Sequence, residues 1–578
     1  MCVACGPLAD VLSTSLSRSG HPLLVTGGAS SGGAAEPAAD VIYSGGPIIT
    51  MTDANPTAEA VLVRAGRIVA VGTRSAVEAR ANAPVRHVDL AGKALLPGFF
   101  DAHGHVVMVG LQALAANLLP APDGEGNDIP SLQRLLRDWI AHNGPIVRRY
   151  GMVVGFGYDD SQLKEQRHPT RDELDAVSTE VPVVIVHQSG HLGVANGKAL
   201  EVAGITAATQ DPAGGVFRRR EGSNEPNGVC EEYAFFQVLG TLAARFDQDA
   251  FLAMIEHGIA AYASFGYTTV QEARAMNATT AILAKAAELG LLSVDVLVYP
   301  DILDAVESIA PSAEYAKRFR VGGAKLTIDG SPQGKTAYLS QPYLNPPPGQ
   351  PSDYRGYPAI TKERTDAAVD LAYEKNWQIL THANGDAATD MLIAAVDAAK
   401  AKHGNGDRRP VLIHGQYTRL EQLPRLKELG IIPSFFPMHT FYWGDWHRDN
   451  VFGPERASII SPCGSAERLG MIFTSHHDAP VALPSSVRVL SATVTRTTRS
   501  GKVLGPNERV SAQTALKAMT IWAAQQHFEE STKGSIEPGK LADFVILDRD
   551  PLTAAPETLS DLKVIETIKE GRTVYAAA

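Results

Sequence analysis

Cysteine is scarce, with four residues in a chain of 578. So few thiols cannot form a disulfide framework at this length, and the pattern fits a reducing compartment. Cys2 and Cys5 make a lone "CVAC" at the extreme N-terminus, without a second pair or nearby histidines, and read as part of a frayed terminus rather than a zinc or redox site. Long apolar runs are missing too. No stretch reaches the roughly 18 residues of a membrane helix, and the opening "MCVACGPLADVLSTSLSRSGHPLL" lacks the basic and then continuously apolar halves of a secretory signal. A cytoplasmic protein without a membrane partner is expected. Positive charge is in deficit, 52 Lys and Arg against 63 Asp and Glu, for a net −11 that repels nucleic-acid phosphates. No repeat or heptad pattern supports a structural rod or solenoid.

What is there is a globular composition, 44% hydrophobic, in a chain too long for one ordinary core. Residues 27–39, "GGASSGGAAEPAA", close a short extension and linker spanning 1–39. Short Val, Ile and Leu runs broken by Gly-containing turns follow in 40–97 and recur in 530–578. Chain ends often meet in space, so the two regions are expected to build one β-sandwich. Between them, eight strand-like runs alternate with helical ones, beginning with "ALLPGFFDAHGH" and ending with "GMIFTSHHDAP". This α/β alternation predicts a (β/α)8 TIM-type barrel over 98–112 plus 251–529, with its active site at the C-terminal ends of the strands. The abnormally long first connection, 113–250, contains strands and helices of its own and is expected to be an inserted subdomain that lids the site.

Polar residues stand where the apolar runs stop. His103 and His105 follow "GFFDA", Lys325 ends "VGGA", His382 ends "QILT", His414 ends "PVLI" and Asp478 follows "MIFTSHH". In a parallel barrel these ends converge on one cavity. Two histidines at i and i+2 of a strand face the same side and can share one ion. Any one histidine alone reads as a packed core or surface residue. Six ionisable positions at strand ends do not, because buried ionisable groups are costly unless paired or coordinated. Lys325 has a rival reading as a cation paired with Asp329, four residues on.

The motifs "LLPGFFDAHGH", "THANGD", "LIHGQ", "HHDAPV" and "GSIEPGKLADFVILDRDP" together resemble the metal-dependent amidohydrolase superfamily, from about residue 40 to the C-terminus. Within it, "GHLGVANGKAL", "GGVFRRREGSNEPNGVCEE" and "KLTIDGSPQGKTAYL" look like the amidohydrolase family 3 branch that includes N-substituted formamide deformylases. The resemblance implies one or two divalent ions, zinc first among them. His103 and His105 would bind one ion, His382 and His414 a second, with Lys325 bridging as a carbamate formed with CO2. Asp478 would sit beside the activated water as general acid–base.

His191 of "SGHLGVAN" is a candidate to hydrogen-bond the substrate, with a structural role as its alternative. Phe441, Tyr442 and Trp443 are candidates for an apolar wall. His477 stands where the family more usually has serine, and Gly104 between the paired histidines fits close packing; the first departure is expected to alter the substrate pocket. The expected activity is hydrolysis of a non-peptide carbon–nitrogen bond in a small-molecule amide, by a chain for which a homo-oligomer is allowed. Ester, lactone or cyclic-amide hydrolysis at the same site is the related alternative. A non-catalytic ligand-binding barrel is the alternative of another class.

Overall fold

A computed structural model describes residues 39–577 except 191, 213–214 and 348, so the "CVAC" pair, almost all of the N-terminal linker and His191 lie outside the described residues. All eight strand-like segments form strands, and their ladders are parallel. In order they are Phe99–Phe100, Tyr267–Ala275, Asp295–Pro300, Phe319–Val321 continuing as Gly323–Thr327, Gln378–Ala383, Val411–His414, Ile432–Phe435 and Thr474–Ser475. The architecture is TIM-barrel-like α/β, but the ladder is not a closed ring among the described residues. It divides into two sheets at the fourth strand, which is interrupted at Gly322, packed so closely that a Cβ there would lie 2.6 Å from the Tyr299 hydroxyl. A bridge between Asp301 and Lys325 rejoins the halves. At the seam between the eighth and first strands, the segment after the eighth strand intervenes. Met519 O accepts the Phe100 N–H (2.9 Å), and the Gln526 side chain donates to Ala102 O (3.0 Å).

The chain ends share one hydrogen-bonded sheet, in the order Arg572–Ala576, Val564–Lys569, Phe544–Leu547, Ala94–Pro97, Asp40–Ile49, Thr57–Arg64 and Arg67–Gly72, with Val85–Asp89 also paired to Asp40–Ile49. A β-sandwich built from both ends was the expectation, and the two ends do meet, because Ala94–Pro97 pairs on one side with Asp40–Ile49, in parallel, and on the other with Phe544–Leu547, antiparallel. Tyr43, Ile48 and Val61 from one end pack with Phe544 and Ile568 from the other in a single apolar cluster. A buried ionic network fastens this sheet to the barrel. Lys569 Nζ lies 2.6 Å from Asp295, at the start of the third barrel strand, and 2.7 Å from Asp543; Lys533 Nζ lies 2.6 Å from both Asp295 and Glu529.

Between the first and second barrel strands the chain folds a further six-stranded sheet. Its spatial order is Ala116–Asn117, Val153–Tyr158, Val183–His187, Leu192–Ala195, Pro226–Glu232 and Gly215–Arg219, over its own apolar cluster around Leu136, Val153 and Ile185. The Gln188 side chain reaches back to donate to Val481 O at 3.1 Å, beside the barrel's eighth strand. Among the described residues no helix is long and apolar enough to cross a membrane. Cys230 and Cys463 are buried free thiols.

The helix Val106–Leu114 starts directly after His105 and packs on Gln248–Ser264 through glycines on both sides. A Cβ on Gly110 would fall 1.7 Å from Met254 O, and one on Gly258 would fall 2.2 Å from Val106 O. Backbone meets backbone here, so no side chain can yield. Gly110→Ala is therefore expected to force the helices apart and to cost about 1–3 kcal/mol, read as a lowered urea midpoint with an unchanged m-value.

Candidate active site

His103 and His105 do not lie on a strand, because the first barrel strand ends at Phe100. The loop after it is pinned instead. Asp101 N–H donates to Thr269 O (2.9 Å), the Asp101 carboxylate accepts the His103 N–H (3.1 Å), and His105 N–H donates to Ala479 O (2.9 Å). Lys325 and His382 lie on the fourth and fifth strands, and His414 closes the sixth. Asp478 follows the eighth. His414 and Asp478 hold left-handed backbone angles, φ 72° and 51°, a conformation that costs of order 1–3 kcal/mol per residue and persists where the surroundings enforce it.

The six side chains converge. All are buried, and together with Arg274 and Thr327 they line one small pocket. His103 Nε2 and His105 Nε2 each lie 3.3 Å from Asp478 Oδ1, His414 Nε2 lies 3.9 Å from Asp478 Oδ2, and Lys325 Nζ is 3.3 Å from His103 Nε2. His414 Nε2 and His382 Nδ1 are 3.0 Å apart.

The groups behind the rings fix which nitrogen faces the cavity. His103 Nδ1 donates to Gln271 Oε1 (2.9 Å) and His105 Nδ1 to Ala273 O (2.7 Å). His382 Nε2 donates to Gly330 O (3.2 Å). Behind His414, Nδ1 meets His476 Nε2 (3.0 Å), whose own Nδ1 meets Ser434 Oγ (2.9 Å). Each of the four rings thus turns one nitrogen inward, and the inward nitrogens of His414 and His382 meet each other. Asp478 adds two oxygens, neither of which receives a hydrogen bond although both are fully buried. Among the described residues, His103, His414 and Asp478 form one of two groups able to hold a metal ion.

The electrostatics agree. Burial, with Lys325 alongside, pulls His103 down to about 3, and burial holds His105, His382 and His414 below the usual histidine range, so the rings are neutral. Burial would raise the Asp478 carboxyl, but the imidazoles, His414 first, hold it well below the carboxylate range. Burial brings the Lys325 amine down to about 7 against the pull of Asp478.

Other expectations resolve differently. Asp329 is not the counter-ion of Lys325. Its carboxylate accepts the backbone N–H groups of Tyr338, Asn384 and Gly385 at 2.8–2.9 Å. His477 does not shape the pocket; it packs against Tyr262 and Tyr267, 3.4 Å from Asp101, behind the cavity. Gly104 does permit close packing, since a Cβ would lie 2.2 Å from the Tyr262 hydroxyl. Of the three aromatics, Trp443 lines a larger cavity of about 990 Å³, whereas Tyr442 bonds to Asp123 and Phe441 lies under Arg488. Gln271, Arg274 and His476 carry no motif that marks them. Only the doubled histidine of "SHHDAP" offered a signal for the last.

A model of the amidohydrolase family matches residues 86–575. The chain is 28% identical to N-substituted formamide deformylase of Arthrobacter pascens over 92% of this chain and 97% of that one. It is 26% identical to the protein LONG AFTER FAR-RED 3 of Arabidopsis thaliana over 93% and 92%. Among solved structures it resembles an uncharacterized metal-dependent hydrolase from Pyrococcus horikoshii, with a TM-score of 0.72 and 24% identity over 90% of this chain and 99% of that one.

Proposed function

We propose that this chain, which belongs to the amidohydrolase family, hydrolyses a non-peptide carbon–nitrogen bond in a small-molecule amide at the cluster of His103, His105, Lys325, His382, His414 and Asp478. One observation carries the reading. Ring nitrogens of four histidines and both oxygens of a buried carboxylate face one another at 3.0–3.9 Å, and neither carboxylate oxygen receives a hydrogen bond. Acceptors facing acceptors in a buried site repel unless a cation lies among them. Ligands about 2.0–2.1 Å from one tetrahedral ion stand about 3.3 Å apart, which these separations match.

His103, His105 and Asp478 would hold one divalent ion and His382 and His414 a second, with zinc suited to the nitrogen and oxygen donors. Bound there, a divalent ion polarises a carbonyl and lowers the pKa of water towards neutrality. Lys325, whose amine burial brings down to about 7, would be the residue to take up CO2 with release of a proton, and the carbamate so formed would supply anionic oxygen donors to the ions. Asp478 takes a proton from the attacking water and gives it to the leaving nitrogen. The six-stranded insertion acts as a lid, and the 990 Å³ cavity beneath it receives the substituent, with Trp443 on its wall. In this organisation 40–97 with 530–578 form the outer sheet domain, 98–112 with 251–529 the catalytic barrel and 113–250 the lid.

The deformylase relative makes N-substituted formamides the first substrates to try. With zinc-loaded chain and a panel of formamides, acetamides, esters and lactones, kcat/KM is expected to be at least about tenfold higher for an amide than for any ester or lactone, a gap of about 1.4 kcal/mol in transition-state binding. Turnover of esters or lactones alone would overturn the assignment.

A further inference from the structure

We infer that Asp159, Asp160 and His187, in the six-stranded insertion, hold a divalent cation separate from the barrel cluster, on the wall of the 990 Å³ cavity. Their ligand atoms lie within 4.8 Å of one another. His187 Nε2 is 3.1 Å from Asp160 Oδ1 and 3.6 Å from Asp159 Oδ1, close to the roughly 3.3 Å spacing of neighbouring ligands on one ion. His187 is 92% buried, being 8% exposed, and its Nε2 makes no hydrogen bond. At 3.1 Å this is a matter of direction. The nitrogen is near enough to Asp160 but its axis is not aimed along a hydrogen bond to either aspartate, as expected when an ion rather than a carboxylate is its partner.

The surroundings are built to hold such an ion. Asp159 follows the strand Val153–Tyr158 and His187 ends the neighbouring strand Val183–His187, with Tyr158 and His187 directly paired, so the ladder itself sets the ligands side by side. Asp159 is immobilised by the Ser161 N–H (3.0 Å) and hydroxyl (2.7 Å) on Oδ1 and by the Trp443 indole N–H (3.2 Å) on Oδ2. Ser189 lies behind the imidazole, its N–H donating to Nδ1 at 3.0 Å and its Oγ 2.8 Å from the same nitrogen, contacts that hold the ring plane. Binding an ion through Nε2 requires the ring proton to move to Nδ1 and to be donated to Oγ, with the Ser189 N–H released from Nδ1.

Charge and access also fit. Two carboxylates and a neutral imidazole sum to −2, matching a divalent ion. No lysine or arginine is among the described residues lining the cavity. The nearby cations face elsewhere, Arg218 on Glu231 and Lys335 over the Trp446 ring. Asp160 is 34% exposed, leaving room for water or a substrate oxygen on the ion, and His168 Nε2, 3.8 Å from its other oxygen, is a further nitrogen donor within reach. Nitrogen and carboxylate donors with open positions suit manganese, iron or zinc. Such an ion would pin the two lid strands and present a Lewis acid to the far end of the substrate.

The inference is independent of the amide assignment, and its test reads metal, not turnover. Crystals of the full chain soaked in Mn2+ and measured at the manganese edge are expected to show an anomalous peak between Asp159, Asp160 and His187, apart from any peak at the barrel cluster. In solution, His187→Gln and Asp160→Asn are each expected to lose one equivalent of manganese per chain relative to the unsubstituted protein. No peak at the triad, or equal stoichiometry in folded variants and parent, would overturn it. The triad would then be a plain ion pair, with His187 lifted to about 9 by its two carboxylates against the opposing effect of burial. Should a variant fail to fold, the map of the unsubstituted protein decides alone.

Discussion

Asp478→Asn is expected to lower kcat by about 10²–10⁴-fold on any amide that the chain hydrolyses, the range assigned to a positioned general acid–base. Loading with zinc is expected to raise the melting temperature of the parent more than that of the variant, because the parent gains RT ln(1 + [L]/Kd) from an ion that the variant binds less well. Kinetics with metal content measured in parallel, and thermal melts with and without chelator, check both expectations. An Asn variant that keeps activity within about threefold would remove Asp478 from the chemistry.

The candidate site was legible because each of its residues interrupts or ends an apolar run. "QILTH" and "PVLIH" read as buried strands that stop at an ionisable group, and parallel strands bring such stops together whatever their separation in sequence. The same rule misdescribed His103 and His105. Their strand is two residues long, and the rings converge because Asp101 and Ala479 hold the loop, contacts made across the barrel and invisible in a local pattern. The strand order in the sheet formed by the chain ends was not legible for a related reason. Local alternation shows that strands exist but not that Ala94–Pro97 would have neighbours on both sides, since pairing partners are set by distant segments. Asp159 and Asp160 in "GYDD" carry no local signal of a site. Their meaning depends on His187, 27 positions beyond Asp160, which only strand pairing brings alongside.

Lys569→Met is expected to destabilise the chain by about 3–5 kcal/mol, the cost of breaking a buried ion pair from one side. The ammonium is fully buried between Asp295 and Asp543, each under 3 Å away. Methionine fills most of the space, so what is lost is charge rather than volume. Asp543 keeps one donor, the Glu570 N–H at 2.9 Å, and Asp295 keeps Lys533, which places the effect towards the lower end of the range. Because the strand Val564–Lys569 belongs to the outer sheet and Asp295 to the barrel, the expected failure is separation of the two before the barrel itself unfolds. A first urea transition would then be followed by a second at the parent's midpoint. Adding Asp543→Asn to Lys569→Met should recover part of the loss, since it neutralises the carboxylate left behind, and the double-mutant cycle measures that coupling. High salt should rescue little, because the pair lies beyond the reach of screening ions. A single cooperative transition shifted by less than about 1 kcal/mol would assign the network to the exposed class of ion pairs and shift the burden of holding sheet to barrel onto apolar contacts such as those of Val545 and Leu547 in the main core.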